Sequence, residues 1–280
     1  MTERIVVERD GGVADVRLNR PDKMNALDPG MFAELIETAD DLATDPTLRC
    51  VVLSGNGRSF CAGLDFAGFQ QMGGGQSSDE GGAGVADGEV RDITKPMEGR
   101  ITHRGQQAVY GWTELPVPVI AAVHGHALGG GFQLAMGADI RVVAPDAKLS
   151  ILEIRWGLIP DMTGTQSIVD LVGLDVAKEL TFTGRMVSGT EAVQLGLCTT
   201  LADDPRTHAL EMAHEIASKS PDAIRAAKRL FNLAPKQSHA EGFAAEREEI
   251  SKLIGSANQI EQVSSFFEKR TPNFTDPVDR

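Results

Sequence analysis

Residues 129–135 read Gly-Gly-Gly-Phe-Gln-Leu-Ala, directly after the strand-like run 117–125, VPVIAAVHG. Three glycines between an apolar run and a helical pattern predict a strand, a close backbone approach and a helix start. A helix N-terminus so exposed points its N–H groups outward, which suits an anion or a developing negative charge. The first polar side chain inside the helix is Gln133, which neither gains nor loses a proton near neutral pH.

The better-known glycine turns do not fit. A P-loop needs Lys and a hydroxyl after its last glycine, where this chain has Gly131 and Phe132. The dinucleotide fingerprint fails at Ala127, and G-x-S-x-G does not occur. Two readings remain: an oxyanion hole, or glycines that permit tight helix–strand packing.

Outward from this turn the chain alternates strands and helices. Residues 5–20 predict a hairpin around Asp10-Gly11-Gly12. Asp28 and Pro29 predict a helix start, with Phe32, Leu35, Ile36, Ala39 and Leu42 on one face. Residues 48–57 read as a buried strand, and 100–115 as a helix ending at Pro116. A second unit takes strand 117–123, helix 128–138 and the strand of 139–145; a third begins at 147 and runs through the helix of 164–173. From Pro205 onward only amphipathic helices follow. The reading is an α/β chain with a core over 1–204 and a helical region over 205–280, whose apolar faces a neighbouring subunit would cover. Residues 73–99, rich in Gly and acidic residues, read as a mobile loop, either a solvated insertion or a lid.

Composition narrows the function. A net charge of -13 argues against nucleic acid and anionic membranes as partners. No apolar run reaches the roughly 20 residues of a membrane span. No apolar segment marks a signal peptide at the N-terminus, and the three scattered cysteines read as reduced thiols, so the expected location is the cytoplasm. No metal-binding pattern is present.

Several motifs together carry a resemblance: 18–28 (LNRPDKMNALD), 57–65 (GRSFCAGLD), 114–131 (ELPVPVIAAVHGHALGGG), 153–166 (EIRWGLIPDMTGTQ), 179–197 (ELTFTGRMVSGTEAVQLGL) and 266–274 (FFEKRTPNF). In this order they resemble the crotonase superfamily, the enoyl-CoA hydratase/isomerase group, over nearly the whole chain. The resemblance implies a ββα spiral core, a helical C-terminal oligomerisation region, trimers or pairs of trimers, and an acyl-CoA substrate. No separate cofactor is implied, coenzyme A being part of the substrate.

It further implies an oxyanion hole from the backbone N–H groups of Leu64 and Gly130, where one donor is worth about 3 kcal/mol of barrier. Hydratases of the group use two glutamates. One position is Glu153 here; the other is Gln133. Asp161, eight residues after Glu153, matches a carboxylate of dienoyl-CoA isomerases, with a helix N-cap as its alternative reading. The expectation is an acid–base site of Glu153, Asp161 and Gln133, leaning to double-bond isomerisation. Hydration with Asp161 as an unusual second acid, and an acyl-CoA binder without catalysis, are the alternatives. Lys23, Ala26, Arg58, Ala62, Asp65 and Lys269 are expected along the coenzyme A path, Asp65 also fixing its turn. His124 and His126 read as packing groups at the turn. Cys61 reads as a small packing residue close enough to the thioester to meet electrophiles.

Overall fold

The structure is a computed structural model and describes residues 3–65 and 94–277. The expected loop at 73–99 falls for the most part outside the described residues.

Ile5–Asp10 (β1) and Val13–Leu18 (β2) pair antiparallel around Gly11 and Gly12, both at positive φ. Asp28 caps the next helix, Pro29–Ala43 (α1), by accepting from Met31 N at 2.8 Å, with Pro29 in the first turn. Its buried face is Met31, Leu35, Ile36, Ala39 and Leu42; Phe32 lies half-buried at the margin.

Cys50–Gly55 (β3), Val119–Val123 (β4), Ile140–Val143 (β6) and Thr200–Leu201 (β9) continue the sheet in parallel, in the order β1-β2-β3-β4-β6-β9. Every residue of β3 and β4 is buried, as a sheet covered on both faces requires. Alternation divides them: Val51, Leu53, Val119, Ala121 and Val123 join the main core. Cys50, Val52, Ile120 and Ala122 turn to the other face, where Ala209 and Ala213 of the helix Pro205–Ala217 (α7) cover them.

A second, three-stranded sheet was not foreseen. His126–Leu128 (β5), Lys148–Ser150 (β7) and Val187–Ser188 (β8) form it, and an isolated bridge adds Cys61 beside Ala127. After β4, and again after β6, the chain crosses from the large sheet to the small one before turning into helical structure. The glycine triplet stands at one such crossing, between β5 and the helix Gly130–Met136 (α3).

The helix expected over 100–115 spans Arg104–Glu114 (α2), because His103 caps it by accepting from Gly105 N and Gln106 N. Gly164–Val172 (α4), Leu174–Thr183 (α5) and Gly189–Leu195 (α6) follow β7. After α7 come Pro221–Leu233 (α8), His239–Leu253 (α9) and Ala257–Glu268 (α10). Among the described residues no helix is long and apolar enough to cross a membrane.

Candidate active site

Three segments meet at the glycine triplet. Cys61 N donates to His126 O and Leu128 N to Cys61 O, which sets Cys61 beside β5. Leu27 N donates to Gly63 O at 2.8 Å and Asp65 N to Leu27 O at 3.0 Å, a parallel bridge. The N–H of Leu64, between those two bonds, therefore faces away from Leu27. Gly130 opens α3, so its N–H has no acceptor within the helix.

Each glycine has its own reason. Gly63 sits at φ +88, and a Cβ there would lie 2.6 Å from Leu128 O and 3.7 Å from Gly130 N, so the two turns touch. A Cβ on Gly131 would run into Cys61 O, which no side-chain movement relieves. At Gly130 the neighbours are side chains, Leu27 Cδ1 and Met162 Sδ at 2.9 Å. The packing reading thus holds for Gly63 and Gly131, whereas Gly130 is hemmed by movable atoms.

Glu153 opens a 3-10 turn, Glu153–Trp156, and is the only residue of that turn to be buried, at 8% exposure. Its carboxyl lies over the triplet, with Oε1 3.3 Å from where a Cβ on Gly129 would stand. Gln133 Nε2 donates to that Oε1 at 2.6 Å, while Oε2 is buried without a hydrogen-bond partner. Burial pushes the Glu153 carboxyl above the ordinary range. Hydrogen bonds from its own backbone and from Gln133 oppose this, and the charge of Asp161 adds to it.

Gln133 is fully buried, and its Oε1 accepts from Met162 N at 2.8 Å and Gly164 N at 3.0 Å. Two backbone donors identify that atom as the oxygen, so the nitrogen is what faces Glu153. Asp161 is exposed on the loop before α4. It does not cap that helix: the N-cap is Thr163, which makes no side-chain cap bond and lies at φ 74, ψ -6. A non-glycine residue held there costs on the order of 1–3 kcal/mol.

The expected coenzyme A contacts separate into two groups. The turn Pro21–Lys23 packs on the 57–58 turn, since a Cβ on Gly57 would meet Pro21 Cβ at 2.7 Å; Lys23 and Arg58 are both exposed there. Ala26 is buried and Ala62 half-buried, joined through the Ala62 N to Met24 O bond. Asp65 pairs with Arg20 at 2.9 Å, as a turn-fixing residue would. Lys269 ends α10 far along the chain, exposed and left-handed. The base of α10 is tied to Asp222 and Thr275 through Asn258, with no bond from Lys269 to the triplet.

His124 Nε2 bonds Gly57 O and His126 Nδ1 bonds Ser59 Oγ, the packing role expected of both. The electrophile expectation for Cys61 is corrected: the thiol is wholly buried, donates to Asn25 O, and is pushed up to about 12 by burial. Asn25 is an organiser the sequence reading missed. It sits at φ 56, accepts from Arg20 N, and donates to Asn56 O and Ser59 O, fastening the Lys23 turn to the Arg58 turn. An Asn beside a turn, tolerant of the left-handed region, was the available signal.

The enoyl-CoA hydratase/isomerase family model matches residues 8–83 and 83–277. A probable enoyl-CoA hydratase of Mycobacterium tuberculosis, echA8, is 34% identical over 98% of this chain and 98% of its own length. The human enoyl-CoA hydratase domain-containing protein 2, mitochondrial, is 34% identical over 97% of this chain and 88% of its own. The crystal structure of an enoyl-CoA hydratase from Bacillus anthracis superposes with a TM-score of 0.85 at 30% identity, covering 97% of this chain and 99% of that one. Pseudomonas aeruginosa DspI superposes with a TM-score of 0.82 at 28% identity, covering 98% and 97%. Sequence and fold agree from the hairpin to the last helix, and the chain belongs to the enoyl-CoA hydratase/isomerase family of the crotonase superfamily.

Proposed function

We propose that this enzyme of the enoyl-CoA hydratase/isomerase type moves the double bond of an enoyl-CoA through an enolate, with Glu153 as its acid–base. The observation that carries the reading is Glu153 Oε2, a buried carboxylate oxygen without a partner beside the glycine turn. A buried carboxyl oxygen left unpaired costs stability and suits proton transfer. The N–H groups of Leu64 and Gly130 hold the thioester oxygen as charge develops on it. Glu153 takes a proton from one carbon of the acyl chain and returns it to another, which needs one base. Lys23 and Arg58 meet the phosphates of coenzyme A, Ala26 and Ala62 line its path, and Lys269 reaches the ligand from the C-terminal region. The subunits assemble as trimers or hexamers.

Hydration is the second reading, favoured by the relatives named as hydratases and by Asp161, whose charge acts on Glu153. In it Asp161 supplies the second acid in place of Gln133. Binding without catalysis is disfavoured, since a binder gains nothing from the unpaired oxygen of Glu153.

Turnover of 3-enoyl- and 2-enoyl-CoA in D2O, followed by product mass, tests these readings. A shifted double bond, read by the absorbance of the conjugated 2-enoyl thioester, with no added water is the expected result. Deuterium enters only as far as the Glu153 carboxyl exchanges its proton before returning it, and this turnover is lost on Glu153→Gln. A gain of one water would establish hydration instead. Full turnover by the E153Q variant would remove Glu153 from the mechanism.

A further inference from the structure

Gln133 is more than the neutral stand-in for an acid. Its oxygen holds the two N–H groups that flank Thr163, and its nitrogen holds Oε1 of Glu153. Thr163 between those N–H groups is a β-branched residue in the left-handed region, a rare placement that survives only where neighbours over-determine it. The fit is close: a Cβ on Gly164 would come within 2.7 Å of Gln133 Oε1. With Oε1 of Glu153 occupied, the buried, unpartnered Oε2 is the oxygen left for substrate.

We propose that Gln133 and Thr163 form one clamp, a positioning pair that presents Oε2 of Glu153 to the substrate and holds the Asp161 loop beside it. The inference rests on Glu153 being the acid–base. Gln133 touches no reacting atom; it acts through the carboxyl it orients. Its N–H also favours the ionised carboxylate, against burial and the charge of Asp161, the charged group among the described residues that acts on Glu153. Thr163 stores strain that the two bonds to Gln133 sustain, so the loop and the carboxyl are mechanically linked.

Two substitutions separate the parts. Gln133→Met keeps the volume and removes both functions of the amide; Gln133→Glu keeps an acceptor for the Met162 and Gly164 N–H groups but replaces the neutral amide donor by a second carboxyl, which must share a proton with Glu153. In both, kcat falls about tenfold or more with KM changed less than about threefold, as loss of orientation predicts. The limb of the kcat–pH profile set by Glu153 moves to higher pH. Infrared titration of the Glu153 carboxyl, isolated by subtracting the E153Q spectrum, shows the same upward move without needing turnover. Thr163→Gly raises Tm more in the wild-type background than beside Gln133→Met, because strain is stored only while the clamp is closed.

An unmoved infrared titration in both Gln133 variants, or equal Thr163→Gly effects in both backgrounds, overturns the clamp. So does a faster Q133E enzyme, which would make Gln133 a lost acid. If E153Q keeps full turnover, the acid–base assignment fails, while the infrared and Tm results still judge the clamp. Should Q133M not fold, Q133E decides, its loop N–H groups remaining paired.

Discussion

The two oxygens of Glu153 stand in different surroundings. The sequence places it in a motif, but only the fold shows one oxygen tied to Gln133 and the other buried and unpaired. Neutrality at position 133 was legible, since glutamine cannot shuttle protons. Its amide's engagement was not, because the partners at 153, 162 and 164 are distant in sequence. The raised Glu153 pKa has a stability consequence with a definite sign. Folding raises the proton affinity of this carboxyl, so its contribution is fully present below the ordinary carboxyl range, about 4.3 for Glu, and is lost as pH rises through the folded value. Against Glu153→Gln, which stays neutral, the wild type should therefore lose relative stability as pH climbs. The Tm difference between the two proteins is expected to favour the variant at pH 8 and to shrink towards pH 4. A difference independent of pH would mean that Glu153 titrates normally in the native state.

At the scale of elements, long apolar runs were readable and short strands were not. β3 and β4 carry continuous buried residues, and Asp28 with Pro29 marks the start of α1 by a cap whose bond the structure contains. β5 has three residues and β8 two, too few for any alternation to register, so the second sheet escaped notice. The onset of α2 was misplaced because histidine lies outside the usual N-cap residues. The glycine triplet sets a packing position, Gly131, beside the proposed oxyanion donor, Gly130, and substitution separates the two. Gly131→Ala forces the added methyl against the Cys61 carbonyl oxygen and is expected to cost about 3 kcal/mol in urea unfolding. Gly130→Ala meets only the movable ends of Leu27 and Met162, so it should cost about 1 kcal/mol and remain folded. Its loss of turnover should exceed its loss of stability, because the added methyl crowds the expected thioester site. Equal destabilisation by the two would return the whole triplet to packing alone.

Across the whole molecule, the helices after residue 204 divide into two kinds of surface. α7 closes the back of the large sheet with Ala209 and Ala213, and Lys228 of α8 reaches Val117 O and Asp139 from the same side. Helical periodicity showed that these helices are amphipathic, but not which of them would find its cover within the chain. Beyond α7 several large apolar side chains remain uncovered: Phe231, Ile254, Phe266 and Phe267 are each between 70% and 78% exposed. The rings of Phe266 and Phe267 meet edge-on at 5.6 Å, giving the end of α10 an aromatic surface. Exposed aromatic surface of this kind marks a face that another protein covers, and closed symmetric assembly of identical chains is the commonest means. Light scattering at micromolar concentration is expected to give a mass three or six times that of the 29.9 kDa chain. Replacing Phe266 and Phe267 together with Ser should shift that mass towards the single chain, while the far-UV spectrum stays unchanged because neither ring is buried in the chain itself. A wild type of single-chain mass would leave these aromatics to a different partner. An oligomer indifferent to the double substitution would place its contacts elsewhere on the helical region.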